Sequence, residues 1–315
     1  METVGEKNVI PEAAKISIWK RGGLSWRVLG RRVWREVYEG TLLTHAAALS
    51  FYFLLALFPL LLFLITMLGF FATAGTELRA NLLSALSRVV PFSASSLIYT
   101  TVDEIGQNAD GSKLSFGLLT ALWVASSGIA AISDSLNAMY GVKESRPFWR
   151  VRLVAVSLTI SLALLIVSAL LIILYGGEIG EVAANYFNQG SNFAILWTAA
   201  QVPVMILFVL LTFAIIYYYA PNLYEQKWYW ITPGSLVGVA LWLLVSFLFR
   251  IYLRYFDSYS ITYGSLGAVI ILMLWFYLTG VAILIGGKIN AEIENAAANA
   301  GVPGAKQHGE KAADE

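Results

Sequence analysis

The sequence predicts an all-α integral membrane protein with six transmembrane helices, and three observations carry that expectation. Six stretches contain no Asp, Glu, Lys or Arg: 40–76, 114–133, 153–177, 182–224, 228–249 and 258–287. A helix needs ~20 apolar residues at ~1.5 Å rise to cross a hydrocarbon core of ~30 Å while satisfying its own backbone, and each stretch is long enough. Hydrophobic residues make up 58% of the chain and charged residues 13%, where a soluble domain carries about 25% charge. The third observation is the distribution of Lys and Arg. They crowd the N-terminal arm (Lys7, Lys15, Lys20, Arg21, Arg27, Arg31, Arg32, Arg35), the connector after span two (Lys143, Arg146, Arg150, Arg152), Lys227, and the tail (Lys288, Lys306, Lys311). The other side has Arg79, Arg88, Lys113, Arg250 and Arg254. By the positive-inside rule both termini are expected in the cytoplasm.

In chain order, 1–39 reads as a cytoplasmic arm, disordered over 1–18, with a basic amphipathic helix before span one. Trp26, Leu29, Val33 and Val37 recur at helical spacing, and Arg27, Arg31, Arg32 and Arg35 cover the other side. Such a helix suits an anionic leaflet, or acts simply as a positive-inside anchor. Residues 40–295 form the membrane domain, with spans expected at about 46–72, 114–133, 153–175, 194–219, 233–253 and 263–286. No short apolar run precedes span one, so that span is expected to direct insertion. Pro59 and Pro203 fall inside spans one and four, where a missing backbone donor kinks a helix.

The first external loop, 74–113, carries its own periodicity: Leu78, Leu82, Leu86 and Val89, then Leu97, Thr101, Val102 and Ile105. Two surface amphipathic helices are expected there. Small residues mark close helix approach in span two (Gly117, Ala121, Ala125, Gly128, Ala131) and span six (Gly264, Gly267, Gly280, Gly286, Gly287). Trp149, Tyr217 to Tyr219 and Trp228 to Trp230 suit interfacial belts. Residues 296–315 read as a disordered cytoplasmic tail.

Composition also narrows the chemistry. The chain has no cysteine and two histidines, His45 and His308, with a net charge of +1. Disulfides and thiol catalysis are thereby excluded, an imidazole-built metal site is not expected, and no cofactor is implied. Nucleic acid is not an expected partner, because the basic residues cluster at helix ends rather than along one face.

Three segments carry a family resemblance. They are Ala46-Ala-Ala-Leu-Ser-Phe-Tyr-Phe-Leu-Leu-Ala-Leu-Phe-Pro59; Gly128 with Leu136-Asn137, Tyr140 and Arg146-Pro-Phe-Trp149; and Tyr263-Gly-Ser-Leu-Gly-Ala-Val-Ile270 with Leu274-Trp-Phe-Tyr277 and Gly286-Gly-Lys-Ile-Asn-Ala-Glu292. In order and spacing, over about 25–295, the chain resembles the YihY family of bacterial inner-membrane proteins, also called the virulence factor BrkB family and formerly labelled ribonuclease BN. The resemblance implies a six-span helical bundle in the bacterial cytoplasmic membrane and involvement in moving lipid-like molecules. The family usually has an acidic residue where this chain has Lys288, so no role of that carboxylate is carried over.

A ribonuclease would need paired carboxylates on a metal, or a histidine pair; dispersed acids and an isolated His45 argue against one. Candidate site residues are instead polar groups near the ends of spans. Asp134 and Asn137, with Ser126, Ser127 and Ser133, form a polar stripe. That stripe is either one wall of a hydrophilic path or an ordinary helix end bonding the next loop. His45 is either a proton-titrating residue or an interfacial one with a local hydrogen bond. Arg250, Arg254 and Asp257 share one face at the outer end of span five, as a structural pair or as a headgroup site with two guanidinium forks.

The expected function is transport or export of a lipid-like amphiphile, with anionic membrane lipids as partners; the alternative is a non-transporting scaffold or envelope-assembly factor. No Walker A sequence is present, so active transport would draw on a gradient or a partner ATPase. Homo-oligomerisation is left open by the sequence.

Overall fold

The computed structural model describes residues 24–71, 111–186, 191–223, 231–255, 265–301 and 305. These form seven α-helices and no strand: α1 Trp26–Tyr38, α2 Thr41–Phe71, α3 Gly111–Tyr140, α4 Phe148–Tyr186, α5 Ser191–Tyr219, α6 Pro233–Tyr255 and α7 Ser265–Asn299. Six of them, α2 to α7, are long and apolar enough to cross a membrane. The expected surface helices of 74–113 and most of the expected tail lie outside the described residues.

Local sequence explains the helix ends. Ser25 caps α1 by accepting from the Val28 amide at 3.4 Å. Gly40 (φ 81°) lets the chain leave α1 and enter α2 at once, and Gly141 (φ 68°) closes α3. There the Val142 amide reaches back to Asn137 O at 2.9 Å and the Gly141 amide to Ala138 O at 3.0 Å, a left-handed C-terminal cap. At the start of α6, Thr232 and Ser235 exchange amide-to-hydroxyl bonds at 2.9 and 3.0 Å, with Pro233 at the first helical position. Helices α2 and α5 continue through Pro59 and Pro203.

Around the bundle the order is α5, α4, α3, α2, α7, α6, with α6 returning to α5 and α3 also touching α7. The main core unites Leu42, Ala46 and Leu49 of α2, Ile132, Leu136 and Met139 of α3, Leu158 of α4, Phe213, Ile216 and Tyr217 of α5, Val239 of α6 and Ile283 and Leu284 of α7. All six spans therefore meet at the end that carries α1, called here the arm end. A second cluster, Phe63, Leu122, Ala163 and Val167, joins α2, α3 and α4 further away.

Two boundaries differ from expectation. Helix α3 runs on to Tyr140 rather than ending near 133, so Asp134 and Asn137 sit within it. Helix α7 runs to Asn299 with Ala296 and Ala297 buried, so those first residues of the expected tail are packed helix. Absence of charge marks the stretch that tolerates lipid, whereas a helix continues wherever neighbouring elements cover its next turns. The amphipathic α1 also finds protein rather than lipid for part of its apolar face: Leu29 and Val33 are buried against Ile289 and Ile293 of α7, while Trp26, Trp34 and Tyr38 stay exposed.

Candidate functional site at the arm end of the bundle

Three polar knots gather where the spans converge. The first ties the α3–α4 connector to the end of α5. Glu144 receives the Arg146 side chain through both carboxylate oxygens, Nε to Oε1 at 2.8 Å and Nη2 to Oε2 at 2.7 Å, and the Arg146 amide at 3.0 Å. Arg146 also donates to Ser133 Oγ at 3.1 Å and Ala220 O at 3.0 Å, and Ser133 donates to the same carbonyl. Asn137 Nδ2 donates to Glu144 Oε2 at 2.9 Å, and Asn137 Oδ1 accepts the Asn222 amide at 2.7 Å. The Asn222 side chain then donates to Lys143 O and Ser145 Oγ. The result is a fork-to-fork ion pair surrounded by bonds that lock two connectors together.

Burial alone would raise the Glu144 pKa, but the Arg146 bonds outweigh it and the net shift is downward from the usual 4.5. A depressed carboxylate contributes stability above its unfolded pKa and loses it as pH falls through the folded one. Acidification below about pH 4.5 is therefore expected to loosen this connector. Glu144→Gln should flatten the fall of detergent melting temperature between pH 6 and pH 3; a variant curve parallel to wild type would remove Glu144 as the cause.

The second knot clasps α1 to α7. Lys288 Nζ meets Glu36 at 2.9 Å and Glu292 at 3.3 Å, and Arg32 bonds Glu292 at 3.0 Å. Only 6% of the Lys288 side chain is exposed. The residue that departs from the resembled family is thus the centre of a four-membered charge cluster. In the third knot, Asn290 accepts the Gly234 amide at 2.9 Å and donates to Thr232 at 3.0 Å, seating α6 on α7. Beside it the Tyr217 hydroxyl donates to Ile283 O at 2.7 Å.

Of the candidates from sequence, Asn137 is central to the first knot, where it bonds the following loop. Ser126 is buried and donates to the Trp123 carbonyl at 2.7 Å, and Ser133 joins the knot. Asp134 is exposed on α3, near Glu144, Arg146 and His45. His45 is half-buried on α2, and none of the hydrogen bonds among the described residues involves it. Arg250 is exposed on α6; the Arg254 side chain and Asp257 lie outside the described residues. Among the described residues, no group of three His, Asp or Glu is placed to hold a metal ion.

Sequence reasoning passed over Glu144, Arg146 and Asn222 as binding partners, and over Glu36 with Lys288. An acid two residues from an arginine in an otherwise basic connector was the available signal for the first knot. For the second it was Lys288 followed four residues later by Glu292 inside an apolar run.

Comparison with known proteins agrees with this architecture. The family model described as virulence factor BrkB matches residues 33–311. The ribonuclease-like protein YfkH of Bacillus subtilis is 39% identical over 255 residues, 81% of this chain and 90% of that protein. A UPF0761 membrane protein of Idiomarina loihiensis is 29% identical over 69% of this chain and 74% of its own length. One of Aromatoleum aromaticum is 26% identical over 79% of this chain, which spans 59% of that relative. No solved structure matches. A multi-pass helical membrane protein with this match over most of its length belongs to the virulence factor BrkB family.

Proposed function

We propose that the protein moves an amphiphilic, lipid-like molecule across or out of the bacterial cytoplasmic membrane. The observation that carries this is unequal closure of the bundle. At the arm end all six spans share one core, sealed by Tyr217 and the three polar knots. Away from it, α5, α6 and α7 each expose apolar side chains: Ile206 and Leu207, then Leu244, Phe247 and Leu248, then Ile270. A surface of this kind on three neighbouring helices offers acyl chains a lateral approach without desolvating polar groups. The knot at the arm end supplies the rigid base against which such a half can open.

We further propose that it does not cleave RNA, although YfkH carries a ribonuclease-like name. The three glutamates drawn into the first two knots are already paired, Glu144 and Glu292 with guanidinium groups and Glu36 with the Lys288 ammonium, and so are occupied.

The test is reconstitution into vesicles holding a fluorescent phospholipid in both leaflets, with an impermeant quencher added outside and a proton gradient imposed in either direction. Quenching of the inner-leaflet pool is the expected result. Quenching confined to the outer leaflet under every gradient, as in empty vesicles, would overturn transport and leave the scaffold reading.

A further inference from the structure

Arg152 is the fifth residue of the apolar span Phe148–Ile172. An arginine so near a helix end would ordinarily extend its side chain back to the near interface. Here it lies instead on the neighbouring helix. Its guanidinium lies 4.1 Å from the centre of the Trp123 ring, and Nη2 donates to the Trp123 carbonyl at 2.8 Å. Trp123 belongs to the 30-residue helix Gly111–Tyr140, so the cation is pinned to the neighbouring span.

Nothing acidic accompanies it among the described residues. Asp134, the exposed carboxylate of α3, neighbours Glu144, Arg146 and His45, and no ion pair joins it to Arg152. The Arg152 Nε is enclosed without an acceptor. Of the five N–H groups of a guanidinium, one Nη2 is engaged. The platform under it faces outward: Trp123 is 49% exposed, and Leu119 and Leu153 nearby along the two helices are exposed too. A second cation, Arg150, sits 5.2 Å from the centre of the exposed Trp149 ring at the start of the same helix.

A cation near the start of a span, held against an indole and without a carboxylate partner, is suited to an anion from the headgroup layer. We propose that Arg152, held on Trp123, binds the phosphate of an anionic phospholipid in the leaflet on the arm side, with the acyl chains lying along α3 and α4. The planar fork of a guanidinium matches two phosphate oxygens, and stacking on the indole presets its orientation. This site stands whether or not the protein moves lipid, since it faces the bilayer rather than any path through the bundle.

Native mass spectrometry of the full chain, titrated with phosphatidylglycerol or phosphatidylcholine, tests it. Wild type is expected to prefer phosphatidylglycerol. Arg152→Gln should weaken that binding by about tenfold or more, as for loss of a charge-assisted fork, and leave phosphatidylcholine binding unchanged. Arg152→Lys and Trp123→Leu should each lose part of it. Lys143→Gln, which removes one exposed charge from the same side, should match wild type. Should Arg152→Gln fail to fold, the lysine and leucine variants read the same titration.

The proposal is overturned by any of three results. One is unchanged phosphatidylglycerol affinity in Arg152→Gln, or in both milder variants. Another is an equal loss for both lipids. The third is full displacement by millimolar inorganic phosphate, which would mark a free-anion site.

Discussion

Gly234→Ala is expected to lower the stability of the bundle by about 3 kcal/mol, with Gly286→Ala close behind. A Cβ on Gly234 would strike the Gly286 carbonyl oxygen and the Asn290 side chain; one on Gly286 would strike the Gly234 carbonyl and the Tyr217 hydroxyl. Backbone atoms of two packed helices cannot step aside, so α6 and α7 must separate. That separation also breaks the Asn290 bonds to Gly234 and Thr232. The double variant should cost little more than either single one, because one methyl already forces the gap. Gly30→Ala is the control: its Cβ would meet nothing within 4 Å, in the interior of α1. That change should stabilise by up to about 1 kcal/mol. Thermal melts in detergent measure all four, and a Gly234→Ala midpoint equal to wild type would mean that the α6–α7 contact does not have this closeness.

Lys288→Ala should be nearly as costly, by about 3 kcal/mol. It strips Glu36 of its cation inside a half-buried site and leaves Glu292 with Arg32 alone. Removing one member of a buried pair costs more than removing both, since the survivor keeps its desolvation without its partner. Lys288→Met combined with Glu36→Gln should therefore recover most of the loss, the remaining Arg32–Glu292 pair being balanced. Arg32→Gln should cost far less, because 39% of that side chain is exposed and its charge is screened. The same variants report on α1: limited proteolysis near Glu39 should accelerate in Lys288→Ala and return toward wild type in the double variant. A double variant as unstable as Lys288→Ala would show that packing, rather than charge, dominates the clasp.

The number of spans and the membrane setting were legible in the sequence because each rests on a local property. An uncharged run of sufficient length satisfies its own backbone in lipid whatever its neighbours do. Ser25, Gly40, Gly141 and the Thr232-Pro-Gly-Ser235 start act over a few residues and were likewise within reach of the sequence. The small residues of span six also pointed correctly to close approach, which Gly286 makes against Gly234.

What joins distant positions was decided only by tertiary structure. Glu36 meets Lys288 across some 250 residues of chain, and Asn137 meets Asn222; no periodicity encodes such a pairing. Counting Lys and Arg by side treated Arg152 and Lys288 as ordinary cytoplasmic charges. The fold instead turned one onto the Trp123 ring and enclosed the other between two glutamates. A charge count records where along the chain a cation stands, whereas its role depends on whether a partner or an aromatic face lies within about one side-chain length. For the same reason α7 outran its uncharged stretch: Lys288 is tolerated there because Glu292 one turn on and Glu36, which comes from elsewhere in the fold, both satisfy it, while Asp134, which ends the uncharged stretch of α3, is exposed.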